Sequence, residues 1–322
     1  MKKSVIKVLV IVLLTTALLF LTSCGGKPAA GEGPYDTATA ARMVTTGSQG
    51  VELSLMSGFP PPFIYDQDQL VALLEVKNKG NFDLALQSCR IHVTGFDKSI
   101  LTSLSPQGGR RCAEGINVLE GKNLYNVQGG INQLEFKSTS NRLPEKVFEY
   151  NPVLNFLTCY HYKTSASPLV CVDPLFYDVS TEQKTCIATD VAMGGGQGAP
   201  VAVSHVGVDM VGGRAVFEIT IQNVGGGTVL SSGISPETCN GKIPYTELDL
   251  VEFNVKNTGL NSMRCKPQNQ EVRLSNGIGK IVCDALIPTG SAFQTPLQIT
   301  LGYNYMDSLT QPIRIIKTPG SG

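Results

Sequence analysis

Hydrophobic and polar positions alternate with a period of two residues in many short runs of this chain. The run VFEITIQNVG at 216–225 is the clearest, because Phe217, Ile219 and Ile221 alternate with glutamate, threonine and glutamine. This pattern predicts a half-buried β-strand. The Asn and Gly at its end predict a turn, since both residues tolerate positive φ.

The same pattern occurs twice along the chain. Residues 71–80 read VALLEVKNKG, and their Asn78 lies 145 positions before the corresponding Asn223. A second pair of segments, FLTCYHY and ITLGYNY, places Tyr160 and Tyr303 143 positions apart. Two offsets this similar predict tandem copies of one domain.

Each strand that carries the Tyr-x-Tyr motif is followed by residues that predict a turn and a further short strand. These short strands are expected at 168–172 and 311–316, where each would close its copy with a hairpin. A third Asn-x-Gly, at Asn257, has no partner at the repeat offset. It is predicted to be another hairpin turn.

Short alternating strands, 34 glycines, 18 prolines and the lack of a helical pattern in the mature chain predict an all-β protein. We expect two tandem immunoglobulin-like antiparallel β-sandwich domains after a signal peptide and a flexible tether. The expected segments are a lipoprotein signal peptide at 1–23, a lipidated cysteine with its tether at 24–48, a first sandwich at 49–175, a linker at 176–199 and a second sandwich at 200–318. The linker ends in GGGQGAP, which lacks the Gly-Lys-Ser/Thr of a phosphate loop.

The N-terminus has the form of a secretory signal. Three lysines precede an apolar run of about 14 residues, which is shorter than the roughly 20 residues of a membrane span. The ending Leu-Thr-Ser-Cys resembles the lipobox of secreted lipoproteins. That resemblance implies cleavage before Cys24 and a diacylglyceryl group on its thiol, which would anchor the chain to the outside of the cell membrane. An ordinary signal peptide or an uncleaved anchor with an incidental cysteine is the alternative.

Nine cysteines become an even number once Cys24 is assigned to lipid. The other eight predict four disulfides in an oxidising compartment, and their spacing lacks the paired C-x2-C pattern of a zinc site. Of the 105 connectivities that eight cysteines allow, we favour two that close hairpins and two that use the remaining cysteines. The predicted pairs are Cys159–Cys171, Cys265–Cys283, Cys89–Cys112 and Cys186–Cys239.

Composition argues against several kinds of chemistry. Without the signal peptide, 23 basic residues face 26 acidic ones, so nucleic-acid binding is not expected. His92 and His161 are predicted to lie on the solvent side of strands, and His205 is in no catalytic motif, so no catalytic residue, cofactor or metal is predicted. Asp66 and Asp68 suggest calcium as an alternative to a solvated loop.

The segment GFPPPFIYD at 58–66 is the best candidate for a partner-binding surface. Its residues Phe59, Pro60, Pro61, Pro62 and Phe63 combine aromatic rings with a stiff, extended backbone. The alternative is a bent lead-in to the first strand, with both phenylalanines buried.

Four segments give the chain a wider resemblance: FPPPFIYD (59–66), EVKNKG (75–80), GQGAPVAV (196–203) and TPLQITLGYNY (295–305). With them, most of the mature chain resembles uncharacterised two-domain lipoproteins of small, host-associated archaea, and the strand-then-Asn-x-Gly pattern resembles immunoglobulin-like adhesion domains. The resemblance implies no catalytic residues. We therefore expect a lipid-anchored surface protein that binds another protein or has a structural role, and a secreted hydrolase or a ligand-binding lipoprotein is the alternative.

Overall fold

The fold is given by a computed structural model that describes residues 37–139, 141–178 and 183–319. The predicted signal peptide at 1–23 and the predicted lipidation site, Cys24, lie outside these residues.

The first part of the chain contains one helix and a series of short and long strands. Their bounds are α1 (Thr37–Thr45), β1 (Val51–Leu55), β2 (Phe63–Tyr65), β3 (Val71–Asn78), β4 (Leu84–Ala85), β5 (Cys89–Thr94), β6 (Arg110–Arg111), β7 (Val118–Leu119), β8 (Ile131–Lys137), β9 (Glu149–Tyr150), β10 (Val153–Ala166) and β11 (Leu169–Val172).

The second part continues with strands and one short 3-10 turn at Tyr245–Glu247. The strand bounds are β12 (Val191–Ala192), β13 (Val201–Val211), β14 (Arg214–Asn223), β15 (Thr228–Leu230), β16 (Leu250–Asn257), β17 (Asn261–Lys266), β18 (Glu271–Arg273), β19 (Ile278–Leu286), β20 (Phe293–Pro312) and β21 (Arg314–Ile316).

Helix α1 lies within the segment 24–48, which is predicted to be a flexible tether. The expectation that the mature chain has no helical pattern is wrong here: the run TATAARMVT contains three alanines, an arginine and a methionine, which favour a helix. Ala40 is buried, and the Thr45 hydroxyl donates a hydrogen bond of 2.8 Å to the Ala41 carbonyl.

The prediction of an all-β protein is confirmed. The largest sheet has the strand order β18-β16-β20-β10-β5-β6, and two further sheets have the orders β1-β3-β8 and β12-β13-β14-β19-β17. A small sheet has the order β2-β21-β9, and β4 pairs with β7. Pairing between these strands is antiparallel except between β2 and β21.

The largest sheet is built around the pairing of β10 with β20, which we call the seam. It runs without a register shift from the Val153–Pro312 pair to the Ala166–Ile299 pair. Because β10 belongs to the first part of the chain and β20 to the second, the seam joins the two parts by backbone hydrogen bonds.

Four tyrosines meet on one side of the seam. Tyr160 lies opposite Tyr305 and Tyr162 lies opposite Tyr303, so alternation along the strands puts all four rings on the same face. Each of the four is 1% exposed or less. The ring centroids of Tyr160 and Tyr305 are 5.7 Å apart. The prediction that the Tyr-x-Tyr residues are core and cross-strand partners is therefore confirmed.

The seam also relates the two halves of the chain by an approximate twofold axis. His161 lies opposite Asn304, and these residues are themselves 143 positions apart. Adding 143 to a residue number in β10 gives the corresponding residue of β20. Two residues that lie opposite each other near the centre of the seam therefore correspond to two residues that also lie opposite each other. This is the geometry of a self-complementary dimer interface contained within one chain.

Hydrogen bonds to a tyrosine fix the first Asn-x-Gly segment. The Tyr162 hydroxyl donates to Asn78 Oδ1 (3.1 Å) and accepts from the Phe82 amide (3.3 Å). Asn78 Nδ2 donates to the Phe82 carbonyl (2.8 Å), and Asn78 Oδ1 accepts from the Gly80 amide (3.2 Å). The buried asparagine thus satisfies the backbone of the turn that it begins.

The second Asn-x-Gly segment repeats this arrangement. The Tyr305 hydroxyl donates to Asn223 Oδ1 (3.0 Å) and accepts from the Gly227 amide (2.8 Å). Asn223 Nδ2 donates to the Gly227 carbonyl (2.9 Å), and Asn223 Oδ1 accepts from the Gly225 amide (3.3 Å). The two segments that the sequence pairs at an offset of 145 therefore occupy equivalent places in the structure.

The two halves share a core as well as a sheet. One hydrophobic cluster contains buried residues from both, and the chain from Ala38 onward forms one compact unit. The predicted linker contacts the first half of the chain as well, because the Gly47 amide donates to the Gly195 carbonyl (2.7 Å) and the Asn81 amide donates to the Gly198 carbonyl (2.9 Å). The division into 49–175, 176–199 and 200–318 stays a prediction of chain organisation.

The predicted closing hairpins are wrong. Strand β11 pairs with β20 and not with β10, while β21 pairs with β2 and β9. The Asn257 turn does not close a hairpin either, because β17 pairs with β19. The physical reason is that the chain does not reverse after either strand. Strand β11 continues beyond β10 along the same edge of β20 in the register of the seam, and β21 continues beyond β20 in that register to pair with β9.

Four disulfides are present, and two of the predicted pairs are confirmed. The observed bonds are Cys89–Cys112, Cys265–Cys283, Cys159–Cys239 and Cys171–Cys186. The predicted pairs Cys159–Cys171 and Cys186–Cys239 are therefore wrong.

The position of Cys159 explains the incorrect pairs. Its side chain alternates with Tyr160, so it points to the face of the seam away from the tyrosines. There it packs with Leu230 and Cys239 in a separate buried cluster. Cys171 lies on β11, which is no hairpin partner of β10, and it bonds instead to Cys186.

The buried tyrosines predict a steep loss of stability in alkaline solution. Burial raises the pKa of Tyr160, Tyr162 and Tyr303 well above 10, and raises that of Tyr305 to about 12. The unfolded chain ionises its tyrosines from about pH 10, so stability is full below that pH and falls above it. Each fully buried tyrosine should cost about 1 kcal/mol between pH 10 and 11.

Urea unfolding at pH 9, 10 and 11 measures this slope. Tyr303→Phe should make the slope shallower, whereas Tyr125→Phe, at a fully exposed position, should leave it unchanged. Equal slopes for wild type and Tyr303→Phe would contradict the assignment of this tyrosine to a dry core.

Candidate functional site

The proline-containing segment predicted to bind a partner is exposed at both of its phenylalanines. Phe59 is 44% and Phe63 is 53% exposed, whereas Pro60 between them is buried. The alternative, in which both phenylalanines are buried, is wrong. Pro62 is also exposed and Pro61 is half-buried, so the segment has one anchored proline beneath a surface of apolar side chains.

Phe63 belongs to strand β2, which is held by a distant part of the chain. Strand β2 runs parallel to β21, with Phe63 beside Arg314 and Tyr65 beside Ile316. The side chain between them, Ile64, is buried on the inner face. Alternation along β2 therefore presents two aromatic rings to solvent on a strand whose inner face belongs to the core.

We call the outer side of this small sheet the aromatic face. Its members are Phe63, Tyr65, Glu149, Arg314 and Ile316. The rings of Phe63 and Tyr65 meet edge to face with centroids 6.4 Å apart. Tyr65 is 41% exposed, so both rings offer apolar area to a partner.

An ion pair crosses the same face. Arg314 donates to both carboxylate oxygens of Glu149, with distances of 2.8 and 2.9 Å. These bonds lower the pKa of the Glu149 carboxyl and raise the pKa of the Arg314 guanidinium. The pair therefore carries both charges at neutral pH and gives the aromatic face a polar margin.

The chain beyond the aromatic face is fixed by Asp66. Its Oδ1 accepts hydrogen bonds from the amide (2.9 Å) and the hydroxyl (2.8 Å) of Thr318, and its own amide donates to the Ile316 carbonyl (2.9 Å). Burial raises the pKa of this carboxyl, but the hydrogen bonds from Thr318 outweigh that effect and lower it. Asp66 therefore holds β21 next to β2.

The two carboxylates considered for calcium are both engaged by the protein. Asp66 binds Thr318, and Asp68 Oδ2 accepts from the Tyr65 amide at 3.2 Å. Over residues 37–139, 141–178 and 183–319, there is no group of three or more His, Cys, Asp or Glu side chains placed to hold a metal ion.

The three histidines lie in different surroundings. His92 is 1% exposed, with Nε2 2.9 Å from the Pro236 carbonyl oxygen, so its predicted solvent-side position is wrong. The segment that carries Cys239 covers this face of β5, which the sequence of β5 does not reveal. Burial lowers the pKa of His92 and of half-buried His161, whose Nδ1 lies 3.3 Å from Asn304 Oδ1.

His205 is the histidine nearest to a catalytic arrangement. Its Nε2 lies 3.4 Å from Asp190 Oδ2, and both side chains are substantially exposed. In the described part of the chain, no serine, threonine or cysteine side chain is hydrogen-bonded to His205. The geometry thus supplies a base and an orienting acid without a nucleophile.

Several residues of the aromatic face were missed by sequence reasoning. Glu149, Arg314 and Ile316 come from strands of only two or three residues, and a pattern that short carries little signal. Phe148, next to β9, is 73% exposed, and its carbonyl accepts a hydrogen bond from the Lys317 amide. The alternation Phe-Ile-Tyr at 63–65 was the one readable signal of this sheet.

Comparisons with known proteins add little to this geometry. No protein-family model matches the chain, and no curated protein matches it. Among solved structures, the chain is similar to the secreted serine protease VesC from Vibrio cholerae, with 11% sequence identity and a TM-score of 0.19. That match covers 88% of this chain and 54% of the protease chain, so this chain spans about half of the protease's length. A score this low carries no argument.

One observation bears on location. The four disulfides indicate an extracellular or otherwise oxidising environment. In the described ranges of the chain, no helix is long and apolar enough to cross a membrane.

Proposed function

We propose that this chain is a lipid-anchored protein of the cell surface that binds another protein through its aromatic face. In this proposal Cys24 carries the diacylglyceryl anchor, and two immunoglobulin-like halves, joined at the seam, hold the aromatic face away from the membrane. The likeness to archaeal surface lipoproteins in the sequence supports this location. The chain acts by binding and not by catalysis.

The observation that carries the proposal is the exposure of Phe63 and Tyr65 on a rigid sheet. Aromatic side chains dominate the binding energy of many protein interfaces, because they bury large areas with little loss of conformational freedom. Here Ile64 and Ile315 anchor the sheet in the core from below, with exposures of 6% and 0%. The rings are therefore presented in one orientation before any partner arrives.

The charges around the rings suit a protein partner. Arg314 and Glu149 lie at the margin of the face as a bidentate pair, an arrangement typical of the polar rim around an apolar centre. The four disulfides support a role outside the cytosol, where such a surface would meet other proteins.

A ligand-binding lipoprotein is the second candidate. One observation favours it: a small pocket beside the seam contains a buried hydroxyl without a protein partner. A hydrolase is less well supported, because the exposed His205–Asp190 pair has no hydrogen-bonded nucleophile within the described residues.

The lipid anchor predicts a defined mass and location. Native chain from the membrane fraction should begin at Cys24, carry the mass of a diacylglyceryl group and contain no free thiol. Cys24→Ser should move the protein into the soluble fraction, because loss of two acyl chains removes the hydrophobic attachment. Intact-mass spectrometry and fractionation give both results, and an unmodified chain that retains residues 1–23 would contradict the anchor.

The aromatic face predicts which side chains a partner needs. Phe63→Ala with Tyr65→Ala should weaken binding of the purified chain to intact cells of its source culture by about tenfold or more, since interface aromatics typically contribute over 1 kcal/mol each. Flow cytometry with labelled protein measures this binding. Tyr125→Ala, which removes a fully exposed ring elsewhere, is the matched control.

The Phe63→Ala, Tyr65→Ala double variant and the Tyr125→Ala control should both retain four disulfides and unfold at temperatures close to that of wild type. Equal loss of binding in Tyr125→Ala, or unchanged binding in the double variant, would place the partner surface elsewhere.

A further inference from the structure

Strand β8 has an outer edge to which no strand of the described chain is paired. It ends the sheet β1-β3-β8 and pairs with β3 along its other edge. Arg110 Nη1 donates to the Glu135 carbonyl from outside the sheet, so this carbonyl points away from β3. Backbone groups of an antiparallel strand point to alternate sides at successive residues, so those of Lys137 point outward as well. An edge of this kind is a template for a further strand.

The second half of the chain contains the same edge with a strand bound to it. Leu134 of β8 lies opposite Leu74, which corresponds to Ile219 at the repeat offset of 145. Ile219 lies opposite Ile281 of β19, so β19 is the counterpart of β8. The outer edge of β19 pairs with β17 in antiparallel fashion, through the pairs Arg264–Asp284, Cys265–Cys283 and Lys266–Val282.

The first half forms a groove where the second half has β17. Strand β17 follows β16, which pairs with β20 as β5 pairs with β10. The stretch after β5, at 95–109, forms no strand. Between this stretch and β8 lies a groove of about 530 Å³, whose walls include Leu104, Pro106, Arg110, Glu135, Phe136 and Lys137. The place of β17 is therefore open in the first half.

The charges along the open edge are accessible and differ from those of β19. The side chains of Lys137 and Glu135 are 57% and 47% exposed and lie 3.4 Å apart. Exposed pairs of this kind contribute little to stability, so they are readily redirected to a partner. By the pairing with β3 and β14, Lys137 occupies the place of Asp284, and Glu135 that of Val282.

This difference specifies the side chains of a bound segment. On β17, Arg264 lies 3.3 Å from Asp284. Because β8 has Lys137 in place of that aspartate, a segment on β8 needs an acidic side chain where β17 has Arg264. A basic side chain, such as Lys266 provides on β17, suits the place opposite Glu135.

The rest of the groove favours a segment with further acidic residues. Its charged wall residues are Arg90, Arg110, Arg111 and Lys137 against Glu114 and Glu135, which gives 4 − 2 = +2. Glu114 is already paired with Arg110 at 2.7 Å. Arg111 is in no ion pair within the residues that the structure describes, so its charge is available to a partner.

We propose that the outer edge of β8 binds an extended segment of a partner protein as an added antiparallel strand. The segment places an acidic side chain opposite Lys137 and a basic one opposite Glu135. One of its amides replaces the Arg110 guanidinium as the donor to the Glu135 carbonyl, and Arg110 keeps its pair with Glu114. The edge shares no residue with the aromatic face, so either site can fail without the other.

The probe is an acetylated and amidated hexapeptide with the β17 sequence, NSMRCK, changed at Arg264→Glu and Cys265→Val. Hydrogen exchange followed by NMR should slow saturably at the amides of Glu135 and Lys137, because each gains a carbonyl acceptor. The Phe136 amide faces β3 and should not change. N-methylation of the peptide's lysine should abolish the protection, since it removes the donor to the Glu135 carbonyl.

Reversal of the charges tests the pairing. A peptide with its glutamate and lysine exchanged should bind about tenfold more weakly, because like charges then lie opposite each other. The double variant Glu135→Lys, Lys137→Glu should reverse this preference. The matched control is Glu218→Lys, Lys280→Glu, which reverses an exposed ion pair of 2.6 Å on β14 and β19 and should leave both affinities unchanged.

A second copy of the chain is the competing occupant of the edge. Sedimentation velocity should show a monomer at the concentration used for NMR, and a dimer that the double variant abolishes would assign the edge to a second copy and overturn the proposal. It would also be overturned by the absence of protection at Glu135 and Lys137, by equal affinity for the two peptides, or by an unchanged preference in the double variant.

Discussion

The antiparallel pairing of β10 with β20 is the interaction on which the rest of this structure depends. Two long strands from distant parts of the chain pair over their whole common length without a bulge. Pairing so remote in sequence has a large entropic cost, which burial of the tyrosine rings along one face helps to offset. Everything else in the two halves is arranged around these two strands.

The tyrosines link the seam to the loops of both halves. Each of Tyr162 and Tyr305 reaches an Asn-x-Gly turn in its own half and hydrogen-bonds to the asparagine at the start of that turn. This contact explains why glycine is required at Gly80 and Gly225, since a Cβ at either position would clash with the hydroxyl of the adjacent tyrosine. The Asn-x-Gly repeat seen in the sequence is therefore a tyrosine-binding turn and not merely the end of a strand.

Local patterns in the sequence predicted local features well. Alternation identified the strands around Asn78 and Asn223, and the repeat offset identified their equivalence. The disulfide Cys265–Cys283 was predicted correctly from the turn signal at Asn276-Gly277, where both residues have positive φ. The two cysteines meet through the pairing of β17 with β19, however, since β18, which precedes the turn, pairs with β16.

Features that depend on long-range pairing were not readable. The strand that carries Tyr160 gives no sign that its neighbour is a strand about 145 residues away, and hence the hairpins predicted after β10 and β20 were wrong. Cys159 and His92 were misplaced for a related reason. An alternating strand shows which side chains share a face, but it does not show which of its faces another segment will cover. The aromatic face was half predicted, since Phe63 was identified and Arg314 and Glu149 were not.

Amide hydrogen exchange along the seam tests the dependence of both halves on this pairing most directly. If the seam holds the two halves together, the amides of β10 and β20 should exchange only by global unfolding, with the same free energy of opening as the core amides of β3 and β14. A fold organised around one shared sheet would be contradicted if the amides of β3 and β14 opened with clearly different free energies. It would also be contradicted if either strand opened while the seam stayed protected, or stayed protected after the seam had opened.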